Sequence, residues 1–72
     1  MDDRIIEILT DYVDTDPSAI TEDADFRADL GMDSLQLADL ATRLETEYGV
    51  VISDRDAMNI RTVGDAMKII EG

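Results

Sequence analysis

The chain has 72 residues, with 18 Asp or Glu against 6 Lys or Arg, no histidine and no cysteine, so its formal net charge is −12. Without cysteine there is no disulfide, no thiolate metal site and no cysteine nucleophile, and without histidine the commonest general base is missing. An acidic surface also repels the phosphate backbone of nucleic acids, which binding proteins neutralise with clustered Lys and Arg. These counts argue against self-contained catalysis and against nucleic-acid binding.

The apolar residues indicate a folded protein. They make up 44% of the chain and recur periodically, which distinguishes the sequence from a disordered acidic segment. The length suits one small domain, which we place at residues 1–72. No apolar run approaches the ~18 residues of a membrane span, and the first residues lack the basic and apolar regions of a signal peptide. We therefore expect a monomeric, cytoplasmic protein without a membrane span.

A first amphipathic helix is predicted over residues 3–13, because apolar residues recur there at the spacing of one helix face. The residues of this face are Ile5, Ile8, Leu9, Tyr12 and Val13. Pro17 prevents the helix from continuing. Residues 18–33 then form a long ordered loop in this prediction, in which Ile20, Phe26 and Leu30 attach the loop to the core.

The second helix is predicted over residues 34–48. Asp33 suits its N-cap, Gln36 completes a capping box, and Gly49 suits the C-cap. The predicted buried stripe consists of Leu37, Leu40, Ala41, Leu44 and Tyr48. The outward positions are Asp39, Arg43, Glu45 and Glu47.

The remaining segment predicts a connector and two further helices. Residues 50–52 are isolated apolar residues without a strand partner, which favours a buried connector. Capping patterns at residues 53–56 and 62–65 predict a short third helix over residues 54–58 and a last helix after Thr62. The last helix is predicted to bury Val63, Ala66, Met67 and Ile70. The fold class is therefore all-α: a small four-helix bundle of three main helices and one short helix, with a long loop between the first two.

Two kinds of chemistry fail on spacing. A calcium-binding EF-hand loop starting at Asp23 would need a glycine at Ala28 and a glutamate at Ser34. A serine hydrolase at Ser34 would need the Gly-x-Ser-x-Gly pattern and a base in reach, and the sequence offers neither. The acidic clusters are better explained as a solvated face.

A third possibility concerns phosphate at Ser34. This serine is predicted to open the second helix, where unpaired amides and the helix dipole favour negative charge. Asp33 beside it could hold a divalent cation together with phosphate oxygens. On spacing alone, however, the favoured interpretation is that Ser34 simply starts a helix.

The run from Phe26 to Leu35, with its Asp-Leu-Gly-Met-Asp-Ser-Leu segment, resembles the prosthetic-group site of acyl carrier proteins. The following helix, with an acidic pair before Tyr48, and the segment 60–66 before the last helix are also similar to that family. The resemblance extends over almost the whole chain.

This resemblance implies that a separate phosphopantetheinyl transferase, using magnesium, attaches 4′-phosphopantetheine from coenzyme A to Ser34, with Asp33 beside it. The thiol of that arm carries acyl groups between synthase enzymes, so the chain itself needs no catalytic residue and is not an enzyme. Partners of this kind dock through basic patches, to which acidic residues of the carrier are complementary. The implied docking residues are Asp33, Leu35, Asp39, Glu45, Glu47 and Asp54. Fatty-acid carriers also enclose the acyl chain between helices, with Leu44, Val51, Ile60 and Ile70 as the expected lining here.

Several positions depart from fatty-acid carriers. Gln36 replaces an acid, Ser53 replaces a common proline, and Arg55 and Met58 reduce the acidity of the third helix. These departures argue against a fatty-acid role in primary metabolism and leave room for polyketide biosynthesis or another specialised pathway. The Gly-Gly-x-Ser pattern of peptidyl carriers is absent. The alternative to a carrier is a small acidic helical interaction module that has no prosthetic group.

Overall fold

The computed structural model describes residues 2–72. Four helices follow one another in this part of the chain: α1 (Asp3–Leu9), α2 (Ser34–Tyr48), α3 (Asp54–Asn59) and α4 (Val63–Glu71). Between Asp2 and Gly72 no strand is present, and the two backbones that come closest to pairing meet at a single antiparallel bridge between Asp25 and Thr62. The predicted all-α bundle is confirmed.

The first helix is shorter than predicted. It ends at Leu9, although the periodicity continues to Val13. Residues 10–13 still form turns, in which Tyr12 and Val13 donate backbone hydrogen bonds to the carbonyl of Leu9. Val13 is therefore still buried, but it reaches the core from a turn and not from the helix. Pro17 begins a short 3₁₀ turn with Ser18 and Ala19, which was not predicted.

The second helix has the predicted bounds, because both of its ends are specified locally. Asp33 accepts a hydrogen bond from the Gln36 amide, and the Gln36 side chain accepts one from the Asp33 amide, so the capping box is complete. Gly49 ends the helix with φ of 65°, a left-handed conformation that glycine adopts without a steric cost. Leu40 and Leu44 are buried, while the other three residues of the predicted stripe are half-buried.

The third and fourth helices also begin at predicted caps. Ser53 accepts from the Asp56 amide, and Thr62 and Asp65 form a complete capping box. The last helix buries Val63, Ala66 and Met67, whereas Ile70 is only half-buried. The third helix contains no buried residue.

The prediction of a buried connector at residues 50–52 is wrong for its central residue. Val51 is 87% exposed, while Val50 and Ile52 are half-buried. The amide of Ile52 donates to the Glu45 carboxylate at 2.8 Å, which fixes the connector against α2 with Val51 on the outside.

The core lies between the helices and beneath the long loop. Phe26 is completely buried, as predicted for the anchor of that loop, and Ile20 and Leu30 are buried beside it. The sequence reasoning did not identify Ala24 and Met32, which are also buried. The loop therefore contributes a substantial part of the core, which is unusual for a connecting segment.

Candidate functional site around Ser34

The loop before Ser34 is held in place mainly by backbone contacts. The Phe26 amide donates to the Arg61 carbonyl at 2.9 Å, and the Val63 amide donates to the Ala24 carbonyl at 3.0 Å. These bonds attach the loop to the start of α4. The Met32 amide donates to the Phe26 carbonyl at 2.8 Å, so the loop closes on itself shortly before α2 begins.

Asp25 organises the turn inside this loop. Its Oδ1 accepts hydrogen bonds from the amides of Ala28 and Arg27, at 2.9 and 2.8 Å. These two bonds hold the pKa of the Asp25 carboxyl below its usual value. The Arg61 guanidinium forms an ion pair with the same carboxylate at 3.2 Å. The turn is thereby fixed from inside and tied to the segment before α4.

Gly31 turns the chain toward α2. Its φ is 70°, in the left-handed region that L side chains rarely adopt, and its amide donates to the Arg27 carbonyl at 3.1 Å. A side chain at this position would strain the backbone. The glycine therefore helps to place Ser34 at the first position of α2.

The Ser34 hydroxyl is exposed and has one strong partner. The Arg27 guanidinium donates from Nη2 to Ser34 Oγ at 2.8 Å. No role was predicted for Arg27 from the sequence, so this contact was missed. The signal that could have found it is the glycine turn at Gly31, which brings the residues before it back toward the start of the helix.

A cavity of about 360 Å³ opens next to Ser34 and is mainly apolar. Its wall is built by α2, by α3 and by single residues before and within α4. The lining residues are Arg27, Ser34, Leu37, Ala38, Leu40, Ala41, Leu44, Ala57, Met58, Ile60 and Ala66. The volume lies in the range of small-molecule pockets, and four alanines leave the space that larger side chains would fill.

The predicted cavity lining is half right. Leu44 and Ile60 line the cavity. Val51 does not, since the glycine cap at the end of α2 leads into a connector that leaves this side chain 87% exposed. Ile70 lies instead at a separate cleft with Tyr48 and Asp2.

The predicted docking residues do not have equal environments. Leu35 is 81% exposed directly after Ser34, which is a large exposure for an apolar side chain. The exposed acids of this set are Asp33, Asp39, Glu47 and Asp54. Among them, Asp39 accepts a hydrogen bond from the Tyr12 hydroxyl, and Asp33 uses Oδ1 to cap α2. Glu45 is half-buried and accepts from the Ile52 amide.

Within residues 2–72 no group of three or more acidic side chains is arranged to hold a metal ion. No helix of the described part of the chain is long and apolar enough to cross a membrane.

The family described as phosphopantetheine attachment site matches residues 3–70 of this chain. The chain belongs to the acyl carrier protein family. Members of this family are carriers and not enzymes, and they hold phosphopantetheine covalently. They work with a transferase that attaches this group and with synthase enzymes.

Solved structures of acyl carrier proteins are similar to this chain over nearly its whole length. The protein from Enterococcus faecalis is 33% identical with a TM-score of 0.82, over 93% of this chain and 85% of that one. A putative acyl carrier protein from Mycobacterium tuberculosis is 39% identical with a TM-score of 0.78, over 96% and 88%. The hexanoyl carrier of the actinorhodin polyketide synthase from Streptomyces coelicolor is 36% identical with a TM-score of 0.85, over 100% and 87%.

The residues around Ser34 fit the prosthetic group of the family. A phosphodiester needs an accessible hydroxyl, and Ser34 offers one. The group also needs room beside its attachment point, and the cavity begins at the same serine. When bound, phosphopantetheine supplies a thiol at the end of a flexible arm, which the cysteine-free chain does not have.

Proposed function

We propose that Ser34 is the attachment site and that residues 1–72 act as one acyl-carrier domain in fatty-acid or polyketide biosynthesis. The observation that carries this proposal is the exposed Ser34 hydroxyl, which lines the cavity and lies at the first position of α2. A hydroxyl in this place is accessible to a large enzyme. The acyl groups themselves would be transferred by the partner enzymes.

In the attachment step, Ser34 Oγ forms a bond to the pantetheine-side phosphorus of coenzyme A. The phosphoanhydride bond of coenzyme A breaks, adenosine 3′,5′-bisphosphate leaves, and a base supplied by the transferase takes the hydroxyl proton. Asp33 directly precedes Ser34 in the sequence, and its Oδ2 takes no part in the capping box. We assign to Asp33 the binding of the magnesium ion that accompanies the phosphate oxygens.

The test is the intact mass after incubation with coenzyme A, magnesium and a broad-specificity phosphopantetheinyl transferase. We expect one phosphopantetheine to be added to the wild type and none to Ser34→Ala. Ser18→Ala is the matched control, because Ser18 is an exposed serine in the 3₁₀ turn. An unmodified wild type, under conditions that load a known carrier, would favour the alternative of an acidic interaction module.

For docking, we propose a surface made by Leu35 and the acids Asp33, Asp39, Glu45, Glu47 and Asp54. Complementary charge raises the rate of encounter with a basic partner, and an exposed apolar side chain adds apolar contact area. Because Asp39 and Glu45 already accept hydrogen bonds within the chain, we expect Leu35 and Glu47 to contribute more.

The docking proposal is tested with Leu35→Ala against Val51→Ala, since both side chains are more than four-fifths exposed. The transferase should bind the Leu35 variant more weakly and bind the Val51 variant as it binds the wild type. Equal affinities of the two variants would contradict the proposed surface.

Between the two pathways, we propose the polyketide role. Gln36, Ser53 and Arg55 depart from fatty-acid carriers, and the similar carrier of the actinorhodin polyketide synthase is aligned over the whole chain. The capping box gives Gln36 a structural use that does not depend on an acid at this position. We also propose that the protein is a cytoplasmic monomer. Mass spectrometry of the protein isolated from its own cell would identify the acyl group. A saturated fatty acyl chain would exclude the polyketide role.

A further inference from the structure

We propose that Arg27 binds the phosphodiester once the prosthetic group has been attached, and so holds the base of the arm over the cavity. This inference rests on the proposed function of Ser34. Arg27 is then a positioning residue for the arm and takes no part in the chemistry of the acyl group.

Arg27 lies within hydrogen-bond distance of the oxygen to which the prosthetic group would be attached. Arg27 Nη2 lies 2.8 Å from Ser34 Oγ, the oxygen to which phosphorus would be joined. The unesterified phosphate oxygens of a phosphodiester lie within about one hydrogen-bond length of its ester oxygen. A small change of side-chain torsion therefore brings the guanidinium from the hydroxyl to these oxygens.

The positive charge of Arg27 also favours binding of a phosphodiester. In a chain with 18 acidic residues, the two ion pairs found within residues 2–72 are Arg43 with Asp11 and Arg61 with Asp25. Arg27 takes part in neither of them, and its guanidinium donates to a neutral hydroxyl instead. A phosphodiester at Ser34 would give this guanidinium an anionic partner. A guanidinium group can bind phosphate through two parallel hydrogen bonds. It therefore binds phosphate more strongly than it binds a hydroxyl.

The fixed backbone of Arg27 also favours this role. The Arg27 backbone is fixed at both ends, because its amide donates to Asp25 Oδ1 and its carbonyl accepts from the Gly31 amide. The side chain lines the cavity together with Ser34. An arginine that starts from a fixed turn loses less conformational entropy on binding than one on a mobile loop.

The test uses Arg27→Gln and Arg27→Lys, with Arg55→Gln as the matched control, because Arg55 is also exposed but lies on α3. All four proteins are loaded with excess transferase, and their mass confirms the loading. We expect the phosphorus-31 resonance of loaded Arg27→Gln to differ in chemical shift from that of the loaded wild type and to have a narrower line. The difference should be smaller in Arg27→Lys, which keeps the charge but loses the planar fork, and absent in Arg55→Gln.

A second measurement needs only the wild type. On loading, the side-chain N–H resonances of Arg27 should shift, while those of Arg55 should stay in place. Loaded proteins that share one phosphorus resonance, or Arg27 resonances that do not respond to loading, would overturn the role of Arg27 alone. A wild type that gains no mass would overturn the function proposed for Ser34, and the role of Arg27 with it.

Discussion

The two sides of α2 are held by different means. On one side, which we call the tied side, polar contacts join α2 to α1 and to the turn after it. The Arg43 guanidinium pairs with Asp11, and the Tyr12 hydroxyl donates to Asp39. At the far end of α2, Tyr48 contacts the N-terminal segment.

The contacts of Tyr48 complete the tied side. Its hydroxyl donates to Asp2 Oδ2 at 3.0 Å, and the Arg4 guanidinium lies 5.2 Å from the centre of its ring, within the range of a cation–π interaction. Arg4 also donates to the Glu47 carbonyl at 3.2 Å. The middle of α2 is therefore fixed to the turn after α1, and its C-terminal end to the beginning of α1.

On the other side, which we call the open side, α2 faces α3 across the cavity. The third helix is six residues long, all of them exposed, and Met58 is 86% exposed although it lines the cavity. Few buried contacts hold this wall, and low local burial is typical of segments that open without global unfolding. From this difference we expect α3, which forms one wall of the cavity, to open while the rest of the molecule stays folded.

The largest difference between the two sides is expected when one side chain is truncated on each of them. Leu9→Ala removes a completely buried side chain and should lower the free energy of unfolding by about 2–5 kcal/mol. Met58→Ala is the control on the open side and should change it by less than about 0.5 kcal/mol, as exposed positions usually do. Urea denaturation of both variants measures the difference. A Met58 variant as unstable as the Leu9 variant would show that α3 is part of the cooperative core.

Amide hydrogen exchange compares the two sides without a mutation. The amides of Leu40 and Leu44 should exchange only at a free-energy cost close to that of global unfolding, because these residues are buried in the core. The amides of Met58 and Asn59 should exchange through local opening at a much lower cost. Equal protection in both helices would contradict an independently moving cavity wall.

An alkaline titration examines the tied side. Burial, and secondly the hydrogen bond to Asp2, raises the pKa of Tyr48 from its usual value of 10.0 to about 12. Below pH 10 this tyrosine is protonated in both the folded and the unfolded chain. Between pH 10 and 12 only the unfolded chain loses the proton, so the free energy of unfolding should fall as the pH rises.

Tyrosinate absorbance and denaturation at several pH values measure this effect. Tyr48→Phe should flatten the fall above pH 10, and the remaining absorbance change then belongs to Tyr12, whose pKa is also raised, mainly by burial. A Tyr48 midpoint near 10 in the folded protein would mean that its hydroxyl is neither shielded from water nor held by Asp2.

The smallest effect is expected for the Arg43–Asp11 ion pair. Their side chains are 35% and 57% exposed, so water and salt screen the attraction. A double-mutant cycle with Arg43→Ala and Asp11→Ala should give a coupling free energy of about 0.2–1 kcal/mol, as exposed pairs do. A coupling that stays unchanged at high salt would speak against a screened surface contact.

The elements with local end signals were predicted well. Asp33, Gln36 and Gly49 define α2 within a few residues of its ends, and Thr62 and Asp65 do the same for the start of α4. The end predicted for α1 was too late in the sequence, because the apolar periodicity continues through turns that keep Val13 in the core. Hydrophobic spacing alone does not distinguish a helix from a sequence of turns with similar rise.

The site was predictable in part. The surroundings of Ser34 and its place at the start of α2 follow from the sequence around it. The contact between Arg27 and Ser34 depends on how the loop turns at Asp25 and Gly31, which periodicity does not describe. Likewise, the exposure of Val51 results from the hydrogen bond between Ile52 and Glu45, a side-chain contact seven residues apart.

The cleft at Tyr48 has a consequence for how the chain can be joined to other molecules. Asp2 and Glu71 line this one cleft, so both ends of the described chain lie at the same place on the surface. Neither residue lines the cavity at Ser34. A fluorophore, an affinity tag or a surface linker attached at either end would leave from this one place, and neither attachment point would lie in the wall of the cavity.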